Sequence, residues 1–144
     1  MQLSELYRQV IMDHYQNPRN QGQLEDAVSV DLRNPSCGDE ITLQMLIKDG
    51  VVEDVRFKGS GCSISMASAS MMTEAVKGLT VDEALKLGEQ FRLMIRGQEV
   101  TGDELGDLEA LQGVSQFPAR VKCATLAWQA LDRAAHSHDG PHTD

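Results

Sequence analysis

The sequence predicts an α+β domain: a small antiparallel sheet of about three strands, with an N-terminal helix and several C-terminal helices packed on it. Three observations carry this. Apolar residues recur at three- and four-residue steps near the N-terminus, alternate between positions 28 and 58, and return to helical spacing after Gly61.

Leu3, Leu6, Tyr7, Val10, Ile11 and His14 form one stripe, predicting an amphipathic helix over residues 3–15 that Asn17-Pro18-Arg19-Asn20 stops. Val28, Val30 and Leu32 read as a first strand, Ile41, Leu43, Met45 and Ile47 as a second, and Val51, Val55 and Phe57 as a third. Asp49-Gly50 is a strong turn signal, so the second and third strands should form a hairpin. A helix rich in small residues and Met is expected at 63–77. Another starts at Thr80, whose pairing with Glu83 has the capping-box spacing, and reaches residue 95. The acidic, Gly-punctuated stretch 97–117 is expected to hold a short helix at 105–111, and a last helix spans 120–135. Residues 1–135 read as a single domain, and 136–144 as a disordered polar tail.

The 144 residues suit one domain, and 41% hydrophobic with 24% charged residues is ordinary globular usage. Aromatics are scarce, so the core must come from Leu, Val, Ile, Ala and the seven Met. Thirteen Lys+Arg against 22 Asp+Glu give a formal charge of −9. Such a chain repels phosphate backbones and is not expected to bind nucleic acid; a basic partner surface complements it better. No apolar run approaches the roughly 20 residues that span a bilayer. The N-terminal residues have neither the basic nor the apolar region of a secretory signal, so a cytoplasmic protein with no membrane partner is expected. Three cysteines, an odd number without paired spacing, argue against a disulfide framework and for thiols or metal ligands.

Each cysteine sits where an element ends. Cys37 lies in the turn Asn34–Glu40, Cys62 where a strand gives way to a helix, and Cys123 in the first turn of the final helix. Glycines adjoin the first two and permit close backbone approach. Two cysteines near helix N-termini meet backbone N–H groups and the positive end of the dipole, which favour thiolate. The alternative for each is a small buried hydrophobe. The shared setting of all three weighs against it. Grouped thiolates need a cation, and Zn²⁺ with four ligands is the simplest; three Cys leave one position open. Asp39, two residues beyond Cys37, is the fourth candidate, its alternative being an Asx-turn residue before a strand. Three thiolates and a carboxylate oppose four negative charges to two positive. Arg120 and Lys122 beside Cys123, and Arg33 near Cys37, are the basic groups that could offset the surplus; their alternative is a solvated surface.

Of the remaining chemistry-bearing residues, His14 shares the apolar stripe of the first helix and is expected to pack rather than ligate. Met66, Met71 and Met72 read as core. His136, His138 and His142 are assigned no native role. The acidic run Asp103–Glu109 reads as a solvated face or as a dock for a basic partner.

At these residues the chain resembles a known family. Met12-Asp13-His14-Tyr15-Gln16-Asn17-Pro18-Arg19-Asn20, Asn34-Pro35-Ser36-Cys37-Gly38-Asp39, Gly61-Cys62-Ser63-Ile64-Ser65 with Ala67-Ser68-Ala69-Ser70, and Pro118-Ala119-Arg120-Val121-Lys122-Cys123-Ala124 are similar to motifs of the IscU and NifU N-terminal iron–sulfur cluster assembly superfamily. Within it, the acidic segment 102–117 resembles the insertion of the SufU branch of the SUF system. Lys122 stands where IscU scaffolds carry a histidine, which removes one candidate cluster ligand. The resemblance implies a SufE/IscU-like fold and one zinc per chain on Cys37, Asp39, Cys62 and Cys123. It also implies sulfurtransferase activity: persulfide sulfur accepted from a SufS-type, PLP-dependent cysteine desulfurase and passed to downstream SUF components. By motif position, Cys37 would accept the sulfur and Arg120 would assist docking or ligand rearrangement. Two alternatives remain: a scaffold holding iron or a nascent iron–sulfur cluster, or a structural zinc domain that modulates a partner.

Overall fold

The computed structural model describes residues 5–25, 27–34, 38–97 and 106–139. Its elements run α1 (Glu5–Gln16), β1 (Val28–Asn34), β2 (Asp39–Lys48), β3 (Val51–Ser60), α2 (Ser63–Val76), α3 (Val81–Ile95), a 3-10 helix (Gly106–Gln116) and α4 (Pro118–Asp139). The three strands form one antiparallel sheet in the order β1-β2-β3. The predicted α+β architecture is the observed one.

The β2–β3 hairpin sets the register on which the rest of the fold builds. Asp49 and Gly50 both hold positive φ, 53° and 77°, as a two-residue type I′ turn requires. From that turn Lys48 faces Val51 and Ile47 faces Val52, but Leu46 faces Asp54, so Glu53 is one extra residue in β3. This bulge has a visible consequence: Val52 and Val55, three residues apart, are both fully buried. Val51, which the alternation puts on the apolar face, is only half-buried. Past the bulge Glu40 pairs with Ser60, so the first residue of β2 lies beside the chain leaving β3.

One sheet face carries Ile41, Leu43, Met45, Val52, Val55 and Phe57, all buried under α2 and α4. Met66, Ala67, Met71 and Met72 of α2 and Ala124, Ala127, Ala130 and Leu131 of α4 are buried in the same core, so the methionines are core as expected. Phe91 of α3 stacks on Trp128 of α4 with centroids 4.6 Å apart and planes 15° from parallel. The segment after α1 covers the β3 edge: Gly22 N–H donates to Phe57 O and Phe57 N–H to Asn20 O, both at 3.0 Å. It is also fastened to α2, where the Arg19 N–H donates to Ser70 Oγ at 2.9 Å and His14 Nδ1 lies 2.8 Å from the same oxygen. His14 is fully buried there, packed as its place on the helical stripe predicts.

Two boundaries differ from the sequence reading. The short helix expected at 105–111 is a longer 3-10 helix, Gly106–Gln116. The last helix starts at Pro118, where a missing N–H costs nothing in the first turn, and continues to Asp139. His136 is therefore in helix, its Nδ1 2.7 Å from Asp132 O.

The predicted capping box is present in full: Glu83 N–H donates to Thr80 Oγ1 at 3.1 Å and Thr80 N–H to Glu83 Oε1 at 3.0 Å. Thr80→Ala should cost about 1 kcal/mol. Urea titration should show a lower midpoint at unchanged slope.

Candidate metal centre

Asp39 opens β2 rather than lying in the preceding turn. Counting back along the strand from Met45, Leu43 and Ile41, it is the last residue on the core-facing side, at the end of the sheet. There it is almost completely buried. The hairpin register sets it against Gly61 and Cys62. Its Oδ1 accepts the Cys62 N–H at 3.1 Å, at the N-terminus of α2, where a negative group is favoured. Gly61 makes this possible. A Cβ at that position would stand 2.5 Å from Asp39 Oδ1 and 2.9 Å from its Cγ. The sequence marks Gly61 as a place for close approach but does not say which residue approaches.

Cys62 is the N-cap of α2, with extended backbone, and its Sγ accepts the Ser65 N–H at 3.4 Å. Its sulfur is 4.0 Å from Asp39 Oδ2. Cys123 comes from the first turn and a half of α4 and is buried; its Sγ is 3.8 Å from Ala119 O, one turn back. Donor atoms of Asp39, Cys62 and Cys123 all lie within 4.8 Å of one another. Cys37, two residues before Asp39 in the chain, lies outside the described residues.

Arg120 is the cation at this cluster. Its side chain hydrogen-bonds the sulfurs of Cys62 and Cys123, and the charge on Cys62, followed by these bonds and the Cys123 charge, raises its pKa above the ordinary arginine value. The other two basic candidates behave as surface groups. Lys122 is exposed, and Arg33, also exposed, pairs with Glu40 at 3.7 Å.

The donor set fits a thiophilic divalent ion. Tetrahedral ligands about 2.3 Å from zinc stand roughly 3.8 Å apart, so the three groups need only a small contraction to share one ion. Two sulfurs and a carboxylate select zinc over magnesium or calcium, which take oxygen donors. A guanidinium already bonded to both sulfurs marks the place as one where positive charge is stabilised.

A family profile described as NifU-like N terminal domain matches residues 6–124. The chain belongs to that family. Among relatives of this NifU-like chain is the zinc-dependent sulfurtransferase SufU of Bacillus subtilis (strain 168), 56% identical over 139 residues that span 96% of this chain and 95% of that one. The iron–sulfur cluster assembly scaffold protein IscU of Streptococcus pyogenes serotype M1 is 48% identical over 92% of this chain and 84% of its own. A solved structure described as a scaffold protein for the SUF system, from thermophilic Fervidobacterium islandicum AW-1, superposes with a TM-score of 0.84 at 37% identity, covering 92% of this chain and 95% of that one. The N-terminal helix, three-stranded sheet and C-terminal helices of this NifU-like domain thus have solved counterparts. Among its described residues no helix is long and apolar enough to cross a membrane.

The Gly61–Asp39 contact yields a double-mutant test. Asp39→Ala and Gly61→Ala should each weaken zinc binding at least about tenfold, as loss or displacement of a ligand does. The double variant should be no weaker than Asp39→Ala alone, because both changes act on one carboxylate. Competition against a chromophoric chelator measures all three.

Proposed function

We propose that this chain is a zinc-dependent sulfurtransferase that accepts persulfide sulfur from a SufS-type cysteine desulfurase and passes it on for iron–sulfur cluster assembly. One observation supports the reading most: Asp39, Cys62 and Cys123, from three elements, gather under a single arginine. The similarity to the Bacillus subtilis sulfurtransferase over nearly the whole chain points the same way. Cys37, Asp39, Cys62 and Cys123 are the proposed zinc ligands. Bound zinc would keep their thiols deprotonated at neutral pH.

The chain's own residues then have distinct roles. Cys62 and Asp39 are held by backbone donors and by burial, and Cys123 by the α4 backbone, so these three are the fixed part of the site. Cys37 is the proposed acceptor. Its thiolate attacks the outer sulfur of the donor's cysteine persulfide; the donor's S–S bond breaks, and the donor cysteine leaves as thiolate. A Cys37 persulfide remains, with no net oxidation or reduction. Arg120, hydrogen-bonded to two sulfurs while lying in an exposed turn, offsets negative charge during this exchange and meets the partner. A reducing cytoplasm suits such a protein, since its thiols stay unpaired there.

The scaffold relatives carry a second reading, in which the same donors hold a nascent cluster as cargo. Lys122 in place of the IscU histidine argues for transfer. Anaerobically purified protein should carry about one zinc per chain on the transfer reading, and labile iron with acid-labile sulfide on the scaffold reading. After incubation with desulfurase and cysteine, mass spectrometry should find a gain of about 32 Da, one sulfur atom, on the peptide containing Cys37. Cys37→Ala should show no such adduct. An adduct confined to Cys62 or Cys123 would contradict the assignment of the acceptor.

A further inference from the structure

Behind the cluster, one hydroxyl joins the two helices that carry the fixed sulfurs. Ser68 lies on α2, six residues past Cys62, and has no exposed surface. Its Oγ donates to Ala124 O at 2.6 Å and accepts the indole Nε1–H of Trp128 at 3.2 Å. Ala124 is the residue next to Cys123. Ala67 and Ala69 flank Ser68 in α2, and Ala124 and Ala127 lie in α4; all four are buried, and small side chains suit helices close enough for a hydroxyl to reach a backbone carbonyl.

Two features set this serine apart from one that only satisfies a buried tryptophan. A serine inside a helix ordinarily returns its proton to a carbonyl on the preceding turn of its own helix. Ser68 sends it across to α4 instead, to a carbonyl that the helical ladder already supplies with a partner. One lone pair of Ser68 Oγ is also taken by a fixed donor. The Trp128 ring is stacked on Phe91 and lies where a Cβ on Gly88 would stand 3.4 Å from it. The hydroxyl therefore has one orientation, aimed at the backbone beside Cys123.

We infer that Ser68 is a positioning residue for the metal centre: its bond to Ala124 O sets the spacing of Cys123 from Cys62. This rests on the metal reading above. Ser68 touches neither metal nor substrate. It acts through the α4 backbone, which carries Cys123, and through α2, which carries Cys62 at its N-cap.

The test is zinc affinity of the full chain, measured by chelator competition at fixed pH, beside thermal unfolding of the metal-free forms. Ser68→Ala should weaken zinc binding about tenfold, the lower end of what orienting groups contribute. Thr80→Ala, at the exposed N-cap of α3, also lowers stability and should bind zinc within about twofold of wild type. Ser68→Ala alone orphans the indole N–H, so the double variant Ser68→Ala/Trp128→Phe keeps the experiment decisive. It leaves no orphaned indole N–H, at the cost of some core volume that the melting temperature records, and still lacks the bond to Ala124 O. It too should bind about tenfold more weakly. Affinity within twofold of wild type in the double variant, or affinity that simply follows melting temperature across all variants, would overturn the role of Ser68. Wild-type protein that holds no zinc would overturn both this role and the metal reading beneath it.

Discussion

The site depends on a buried carboxylate seated on a helix N-terminus with no side chain between them. Asp39 reaches the Cys62 N–H because residue 61 is glycine, and it is there at all because the hairpin register delivers the start of β2 beside the end of β3. The extra residue at Glu53 enters that register. Without it, every partner beyond Leu46 would shift by one, and in a sheet with one buried face a one-residue slip exchanges faces. A turn and a bulge at one end of the hairpin thus set how β3, and Cys62 after it, align with the start of β2 at the other.

Gathering negative donors costs free energy that something must offset. Here the offsets are local: the N–H groups at the start of α2 serve Asp39 and Cys62, and the Arg120 guanidinium serves both sulfurs. This division has a functional meaning. Asp39 and Cys123 are buried, and Cys62 is half-buried; the arginine lies in an exposed turn beside Phe117, which is half exposed itself. The fixed donors face the protein, while the exposed cation and an aromatic ring face any partner. An arrangement of that kind suits a site that must exchange sulfur with another molecule better than one closed around a structural ion.

Much of this was legible in the sequence because the signals are local. Asp49-Gly50 needs only two positive φ angles, Thr80 and Glu83 only three residues of separation, and each places its element correctly. Cys62 and Cys123 are recognisable as candidate ligands because each stands near the start of a helix. Long-range geometry was not legible. The glycine before Cys62 signals close approach, but the approaching atom belongs to Asp39, and only the strand pairing identifies it. The bulge leaves no mark beyond Val52 and Val55 sharing a face, which the alternation does not anticipate. Ser68 reads as one small residue among several in α2, and its partner is 56 positions away. The stretch 106–116 has helical spacing, but it forms a 3-10 helix, packed through Leu108, Ala110, Leu111 and Val114. Of the four expected ligands, Cys37 lies outside the described residues, and the other three converge.

X-ray absorption at the zinc edge of the purified protein tests the central claim most directly. Three sulfurs at about 2.3 Å and one oxygen at about 2.0–2.2 Å are what these donors predict. A shell dominated by nitrogen and oxygen, or one with a single sulfur, would contradict it.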